Sequence, residues 1–344
     1  MIVDLRSDTV TKPTPEMLQY MIQAPVGDDV YGGDPTTKRL EDKMAKMFNK
    51  ESALYFPSGT MANQVAIKTH TQPGQEIICH KLSHIYYYES GGPAFHSGLS
   101  TCLLSGDRGH LDPDDVENHI NPPDDVHRPP TALVSVENTM NKGGGSIYDF
   151  NKLVEIGKIC KKHNLKYHLD GARLFNALAE TEQTTEDYGN LFDSISVCMS
   201  KGLGAPVGSV LMGDSKFIKT ARRYRKMFGG GMRQSGFLAA ACIYALDNNV
   251  LRLKDDHRRA KLLSTELKKL NYVQSVAEVE TNIVLFKLDP KINADNYVSQ
   301  LENDGILTMH MGYNDVRMVT HLGIDDNMIN KTIDVIKKYK IQHY

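Results

Sequence analysis

The chain has 344 residues, enough for about two domains, and a formal net charge of -2. This small net charge gives no overall basic field, so nucleic acid and anionic membranes are poor candidate partners. The five cysteines lie singly, without a CxxC pair. They argue against a disulfide framework or a zinc site, and with no signal peptide or membrane span in the sequence they favour a cytoplasmic protein.

The first part of the chain predicts two loops, a helix and a strand. Residues 4–15 are rich in small polar residues and end with two prolines, which favours an extended arm or loop. Residues 27–37 predict a second loop. Apolar residues at helical spacing follow it, namely Leu40, Met44, Met47 and Phe48. A strand is expected over residues 53–56.

Small residues at Pro57, Ser58, Gly59 and Thr60 separate that strand from a helix predicted over 61–69. A strand, a small-residue turn and a helix N-terminus together offer backbone N–H groups and hydroxyls to a phosphate. An ordinary helix cap at Ser58 or Thr60 explains the same residues. The sequence leaves both interpretations open.

Strands and helices then alternate, which predicts a mostly parallel sheet covered on both faces. The predicted strands are 76–79, 99–104, 131–136, 166–170, 193–199 and 207–212, with helices over 149–163 and from 214 to 226. Residues 110–130 predict an irregular surface segment, and residues 141–146 a flexible loop at a strand end, where parallel sheets place ligands.

After a glycine-rich loop over 228–234, one helix is predicted over 237–270. Beyond it the pattern changes to the short elements of a smaller α/β domain. These are strands over 272–276, 282–286 and 316–320, and helices over 294–304 and 326–341. We therefore expect an N-terminal arm over 1–14, a large domain over 15–250 and a small domain over 251–344.

Lys201 follows a predicted buried strand and has Gly202, Gly204 and Gly208 around it. Glycines allow a sharp turn and the close approach of a bulky group, as a lysine that binds a flat aldehyde cofactor requires, although a plain loop explains them equally well. Asp170 ends a predicted strand about one crossover earlier, so both side chains can face one pocket. Pyridoxal 5'-phosphate needs an amine, a carboxylate for its ring nitrogen and phosphate donors.

Six segments, in order, resemble the low-specificity L-threonine aldolase family over essentially the whole chain. They are D-L-R-S-D-T-V-T-K-P-T from Asp4, G-D-D-V-Y-G-G-D-P-T from Gly27, F-P-S-G-T-M-A-N from Phe56, H-L-D-G-A-R-L-F-N-A from His168, S-K-G-L-G-A-P-V-G from Ser200 and G-G-G-M-R-Q from Gly229. The resemblance implies an aspartate-aminotransferase-like α/β fold, with a mostly parallel seven-stranded sheet in a large domain and a small C-terminal α/β domain.

The resemblance also assigns roles to the cofactor-binding residues. Lys201 is expected to bind the aldehyde of pyridoxal phosphate, Asp170 to pair with its ring nitrogen, and Arg173 to lie beside its ring hydroxyl. Ser58, Gly59 and Thr60 are expected to hold the phosphate. His84 matches a histidine that stacks on the ring, although from the sequence alone a loop histidine with satisfied hydrogen bonds explains it as well.

Substrate contacts are implied for Ser7, Tyr31, Arg173, Lys226 and Arg317. Ser7 and Arg317 match positions that bind the substrate carboxylate, a group that an arginine fork meets with two hydrogen bonds. Lys226 and Arg233 match basic residues at a subunit boundary, and Tyr31 is expected to enter the neighbouring site, with Arg233 near its phosphate. A dimer or tetramer with shared active sites is therefore expected, although such basic residues are also typical of a solvated helix face.

The expected reaction is cleavage of L-threonine or L-allo-threonine to glycine and acetaldehyde. Many family members carry a histidine where this chain has Met140, and methionine cannot relay the β-hydroxyl proton. Our hypothesis assigns that proton to His84. A β-eliminating lyase or a racemase on the same fold is the alternative. Lys201, Asp170 and Arg173 argue against a catalytically silent homologue.

Overall fold

A computed structural model describes residues 1–339 and contains a large sheet, a smaller sheet and helices around both. The strands are β1 (Val3–Asp4), β2 (Ser52–Phe56), β3 (Glu76–His80), β4 (Ser100–Leu104), β5 (Thr131–Glu137), β6 (Lys166–Asp170), β7 (Ser194–Cys198), β8 (Ser209–Gly213), β9 (Val273–Val276), β10 (Ile283–Leu288), β11 (Ile306–Leu307), β12 (Met309–His310) and β13 (Asp315–Val319). Within this part of the chain, no helix has the length and apolar character needed to cross a membrane.

The helices cover the sheets and supply most of the connections between strands. They are α1 (Pro15–Ile22), α2 (Pro35–Met47), α3 (Gly59–His70), α4 (His84–Tyr87), α5 (Gly92–Ser97), α6 (Pro113–Asn118), α7 (Phe150–Lys162), α8 (Leu174–Glu180), α9 (Thr185–Leu191), α10 (Ser215–Met227), α11 (Gly236–Asn248), α12 (Leu253–Leu267), α13 (Ala294–Asn303) and α14 (Asp326–Lys338). Short 3-10 helices lie at Asp8–Val10, Asp29–Tyr31 and Asp107–Gly109.

The large sheet has seven strands in the order β2-β8-β7-β6-β5-β3-β4. Neighbours from β7 to β4 are parallel, and β8 runs antiparallel to both of its neighbours. The predicted mostly parallel sheet is therefore confirmed. At its carboxyl edge, Glu137 at the end of β5 lies in register with Asp170 at the end of β6. This edge is where an open parallel sheet binds ligands.

A second core surrounds the antiparallel sheet β12-β13-β10-β9 and helices α12, α13 and α14. Val3 and Leu5 are buried in this core, and β1 pairs in parallel with β11. The expected N-terminal arm is therefore partly a strand that packs on C-terminal residues. Apolar side chains at Val3 and Leu5 explain the docking because they gain burial there.

Two sequence expectations were wrong in detail. The single helix predicted over 237–270 is two helices, α11 and α12. The chain turns between them, where the Asn249 side chain donates to the Leu203 carbonyl at 2.7 Å. The segment predicted to be irregular over 110–130 contains α6, which begins at Pro113, a residue whose missing N–H costs nothing in a first turn.

The end of the helix predicted over 326–341 lies partly outside the described residues, because the observed α14 ends at Lys338 and the description ends at 339. The domain boundary near residue 250 falls at the turn between α11 and α12 and stays a prediction.

Gly189 in α9 offers a test of how closely the large core is packed. A Cβ at this position would lie 1.6 Å from the Phe48 carbonyl oxygen. We expect Gly189→Ala to lower the free energy of unfolding by about 1–3 kcal/mol through overpacking, despite the higher helix propensity of alanine. Urea denaturation measures this change. Gly33→Ala is the control, since its Cβ would meet no atom closer than 3.5 Å. Equal midpoints for the two variants would contradict the packing.

Candidate active site

Asp170 anchors the polar cluster at the carboxyl edge of the large sheet. Its side chain is buried, and Oδ2 accepts a hydrogen bond from Asn63 Nδ2 at 2.8 Å while Oδ1 accepts from the Ala172 backbone N–H at 3.1 Å. A ring nitrogen of His84 and one carboxylate oxygen from each of Glu89 and Asp170 lie within 4.8 Å of one another. The Asn63 amide bridges the two carboxylates of this group, since it also donates to Glu89 at 3.0 Å.

His84 opens α4 beside this cluster. Its Nδ1 shares a hydrogen bond of 2.8 Å with Glu89, and its backbone N–H donates to Glu137 Oε2 at 2.7 Å. Burial alone would lower the pKa of His84, but the hydrogen bond to Glu89 and the charge of Asp170 outweigh burial and raise it. Among the described residues, the other ring nitrogen, Nε2, has no hydrogen-bond partner. Nδ1 of His84 is therefore hydrogen-bonded, whereas Nε2 can still bind another group.

Lys201 lies just beyond β7, at the edge where Asp170 ends β6. Its carbonyl accepts the N–H of Gly204, which has a φ of 82° that favours glycine, so the chain turns sharply after the lysine. In residues 1–339, the Lys201 ammonium has no hydrogen-bond or ion-pair partner. The Lys201 charge also acts on the carboxylate of Asp8. The amine is thus positioned near the cluster without being used for packing.

Arg173 forms a buried two-point ion pair with Asp8, with distances of 2.8 and 2.7 Å. Burial alone would raise the pKa of Asp8, but Arg173 outweighs it, with help from Lys201, and holds the pKa well below its usual range. Ser7 lies beside this pair and accepts the N–H of Thr9 at 3.3 Å. The pair ties the N-terminal segment to the end of β6.

Arg317 on β13 is the second buried arginine of the site. It donates to Asn141 Oδ1 and to the Arg6 carbonyl, both at 3.0 Å, and its Nε has no partner among the described residues. Arg173 donates to the same Asn141 oxygen at 3.4 Å. Burial, together with the positive charge of Arg173, lowers the pKa of Arg317 to about 10. A buried guanidinium without a carboxylate of its own suits an anionic ligand.

The predicted phosphate turn begins α3. Ser58 is its N-cap and accepts the Met61 N–H at 3.2 Å, so the helix-cap interpretation is correct. A Cβ at Gly59 would lie 2.6 Å from Cys198 Sγ, which shows how closely the helix start approaches β7. Thr60 is exposed. Within the described residues, the N–H groups of Gly59 and Thr60 have no partner and remain available to an anion at this end of the 12-residue helix.

Tyr31, Lys226 and Arg233 lie in an exposed group that we call the boundary cluster. Arg233 donates to Asp28 at 2.8 Å, and its guanidinium carbon lies 5.9 Å from the Tyr31 ring centroid. Tyr31 is 85% exposed, and the Lys226 stem borders Gly231 in the loop that follows α10. Within the described residues, none of the three forms a hydrogen bond, an ion pair or a ring contact with Asp170, Lys201 or Arg317.

Met140 is fully buried. Its Cγ would lie 2.3 Å from a Cβ at Gly109, so its side chain packs against the turn at that glycine. Its backbone N–H donates to the Ser146 carbonyl at 3.0 Å. The methionine therefore contributes packing here, without a titratable group.

Sequence reasoning did not single out several polar residues of this cluster. They are Asp8, Asn63, Glu137 and Asn141. Two signals for them were present. Glu137 directly follows the strand predicted over 131–136, and Asn63 follows Gly59 by about one helical turn, which places it on the same face of α3.

Comparison with known proteins agrees with this geometry. The sequence profile of the beta-eliminating lyase family matches residues 4–290. Low-specificity L-threonine aldolase 1 of Arabidopsis thaliana is 40% identical over 98% of this chain and 96% of its own length. The low specificity L-threonine aldolase of Escherichia coli K12 is 41% identical over 94% of this chain and 95% of its own length. The chain belongs to the low-specificity L-threonine aldolase family.

The fold of this chain matches the folds of solved structures, among them a threonine aldolase. The threonine aldolase of Leishmania major superposes with a TM-score of 0.84 at 22% identity, over 98% of this chain and 99% of the other. A Sphingomonas wittichii serine palmitoyltransferase gives a TM-score of 0.78 at 17% identity, over 98% of this chain and 86% of the other. The expected fold class is confirmed.

The Asp8–Arg173 pair gives a stability prediction for this threonine aldolase family member. Asp8→Asn leaves a buried guanidinium without a counter-charge, so we expect a loss of about 3–5 kcal/mol at pH 7. Because the pKa of Asp8 is lowered on folding, its contribution is present above about pH 4 and is lost as the pH falls below that value. The difference from the unmutated protein should therefore shrink in acid.

Guanidinium denaturation at several pH values measures this difference. Asp4→Asn is the matched control, because Asp4 pairs with Arg6 at 2.7 Å in the same segment but is partly exposed. We expect the control to change stability by less than about 1 kcal/mol. A loss of the same size in both variants, or one independent of pH, would contradict the assignment.

Proposed function

We propose that this chain is a pyridoxal 5'-phosphate-dependent aldolase that cleaves L-threonine, L-allo-threonine and related β-hydroxy-α-amino acids to glycine and an aldehyde. Two observations carry the proposal: within residues 1–339 the Lys201 amine has no hydrogen-bond or ion-pair partner, and the buried Arg317 guanidinium has no carboxylate partner. An α-amino acid needs both groups, one for its amino end and one for its carboxylate. The names of the 40–41% identical relatives support the same reaction.

The residues present fit pyridoxal phosphate. Lys201 offers an amine, Asp170 a buried carboxylate for the ring nitrogen, and the start of α3 at Ser58, Gly59 and Thr60 offers N–H groups to a phosphate. His84 would lie against the ring. When bound, the cofactor would supply an electron sink for the electron pair released as the bond between Cα and Cβ breaks.

The substrate would be oriented by its carboxylate. Arg317 and Ser7 would hold that group, with Arg173 fixed beside them by Asp8, and this anchoring would set which bond at Cα is aligned for cleavage. Asn141 holds both arginines through one amide oxygen, so their separation is fixed before substrate binds. Anchoring at one end thus selects the bond that reacts.

His84 would accept the proton of the β-hydroxyl through its free Nε2. As that proton leaves, the bond between Cα and Cβ breaks, acetaldehyde departs, and Cα receives a proton to give glycine. Met140 has no group that can accept the proton, whereas His84 lies beside Asp170 and has a ring nitrogen that is not hydrogen-bonded within residues 1–339.

The boundary cluster would serve a neighbouring subunit. Tyr31, Lys226 and Arg233 are exposed, and Arg233 is suited to reach a phosphate across a homodimer or homotetramer interface. A cytoplasmic location is also part of the proposal. It is supported by five cysteines that are all free.

Release of aldehyde tests the proposed reaction. We expect purified, cofactor-loaded protein to form acetaldehyde and glycine from L-threonine and L-allo-threonine, but not from the D isomers, and Lys201→Ala to abolish turnover. The ratio of the rates for L-threonine and L-allo-threonine measures how strongly the enzyme, with Met140 at this position, discriminates between the two configurations of the β-carbon. Formation of pyruvate and ammonia instead would show β-elimination, and interconversion of isomers would show racemisation. Either result would contradict the aldolase assignment.

The raised pKa of His84 gives a pH prediction. A base must be unprotonated, so activity should fall as the pH drops through the pKa of His84. Glu89→Gln removes the charge that raises this pKa, and we expect the acidic limb of kcat/KM to move to lower pH by about one unit. Glu278→Gln, at an 80% exposed side chain, is the control. A limb that stays in place in Glu89→Gln would exclude His84 as the group that titrates.

A further inference from the structure

Asn63 lies on the inner face of α3, directly beneath the candidate active site. It is 2% exposed, and four side chains surround its amide group. Nδ2 lies 2.8 Å from Asp170 Oδ2 and 3.0 Å from Glu89 Oε1. Oδ1 lies 2.6 Å from Ser196 Oγ and 3.2 Å from His168 Nε2. All hydrogen-bonding atoms of this amide are therefore used.

The two carboxylates fix the orientation of the amide. Ionised carboxylate oxygens only accept hydrogen bonds, so the NH2 group of Asn63 must face Asp170 and Glu89. Its oxygen then faces Ser196 and His168, and both must donate to it. A reversed amide would place oxygen against two carboxylates and NH2 against two other donors, at a large electrostatic cost.

The same reasoning fixes the proton positions on the far side of Asn63. His168 must carry its proton on Nε2, and burial lowers its pKa to about 4, so the ring is neutral and Nδ1 is an acceptor. Ser194 Oγ lies 2.8 Å from that Nδ1 and must donate to it. His70 Nε2, at 2.7 Å from Ser194, is then the donor to the hydroxyl oxygen. The chain of hydrogen bonds runs in one direction, toward the carboxylates.

On the side of Asn63 that faces Glu89, the same hydrogen bonds fix the proton position on the His84 ring. Glu89 Oε1 accepts from Asn63 and also contacts His84 Nδ1 at 2.8 Å, so His84 Nδ1 must be the donor. The neutral ring then carries its proton on Nδ1 and a lone pair on Nε2. The groups that face His84 are the carboxylates of Glu89, Asp170 and Glu137, and the Tyr88 ring at 5.6 Å.

We propose that Asn63 is a positioning residue that links Asp170 to the His84–Glu89 pair, holds the Glu89 carboxylate against His84 Nδ1 and keeps neutral His84 in the tautomer with its proton on Nδ1. The tautomer assignment needs only the hydrogen-bond geometry. Its catalytic consequence rests on the proposed function, because only this tautomer leaves Nε2 free to accept the β-hydroxyl proton.

The identity of residue 63 follows from these contacts. Aspartate would place a third carboxylate between two others, and leucine, of similar shape, would supply no N–H to either. Without the bridging amide, repulsion between the Glu89 and Asp170 carboxylates is no longer offset by a shared donor, and Glu89 is no longer held opposite His84 Nδ1. Loss of that acceptor favours the opposite tautomer and moves away the charge that stabilises protonated His84.

Nitrogen NMR of protein with 15N-labelled histidine tests the tautomer directly, without substrate. The His84 signals are assigned by their absence from His84→Phe. We expect the unmutated protein to show neutral His84 protonated on Nδ1. In Asn63→Leu we expect a larger fraction protonated on Nε2 and a His84 pKa lower by about one unit. Thr71→Val is the control, because Thr71 is buried at the C-cap of the same helix and its hydroxyl donates only to the Ile67 carbonyl.

Neutral His84 protonated on Nε2 in the unmutated protein would overturn the proposal, and so would an unchanged tautomer and pKa in Asn63→Leu. If Asn63→Leu fails to fold, Ser196→Ala takes its place, since it removes one of the two donors that orient the amide. We expect the same change, smaller in size, and its reversal in Ser196→Thr, which restores the hydroxyl.

Kinetics then separates this inference from the proposed function. We expect Asn63→Leu to lower kcat for L-threonine by about 10- to 100-fold, the range for groups that orient a functional side chain, with KM little changed because Asn63 does not contact Arg317. Absence of aldolase activity in the unmutated protein would contradict the proposed function, but it would not affect the assignment of the His84 tautomer. If the unmutated enzyme is active and Asn63→Leu has the same kcat, the proposed effect of Asn63 on catalysis is contradicted, whereas the proposed function is not.

Discussion

The buried ion pair between Asp8 and Arg173 is the contact on which the rest of the site depends. Asp8 follows β1, which packs in the C-terminal core, whereas Arg173 follows β6 in the large sheet. Asn282, next to β10, adds a hydrogen bond of 3.3 Å to the same carboxylate. Because a buried charge is costly unless it is paired, this contact fixes how the small core meets the carboxyl edge of the large sheet. Arg317 comes from the small core, so its distance from Lys201 depends on the same contact.

The site has two ends of opposite charge. Arg173, Arg317 and Lys201 form a cationic end with Asp8 as the one paired carboxylate, whereas Glu89, Glu137 and Asp170 form an acidic end. Burial and the charge of Asp170 raise the pKa of Glu137 to about 7, a sign of how closely these carboxylates are placed. The cationic end suits a substrate carboxylate, and the acidic end suits a protonated ring nitrogen. This asymmetry supports the proposal that one end of the site orients an amino acid and the other holds a cofactor.

The sequence predicted the positions that follow from local patterns. Asp170 ends a buried strand and Lys201 lies just beyond one, and a strand is visible as an apolar run bounded by small residues. Asn63 and Asp8 were not found because their roles depend on partners 107 and 165 residues away along the chain. The break between α11 and α12 was missed for the same reason. Asn249 turns the chain by bonding to Leu203, and no proline or glycine marks the site.

Glu137 joins the two ends of the site. One of its oxygens accepts the His84 N–H at 2.7 Å, and the other accepts the Asn141 N–H at 3.0 Å. His84 belongs to the acidic end, and Asn141 holds both arginines of the cationic end. A single buried carboxylate on β5, in register with Asp170, therefore fixes the separation of the two ends through backbone hydrogen bonds. Side chains that bind a carboxylate and a hydroxyl of one small molecule must keep this separation, and the sheet supplies the rigidity that a loop could not.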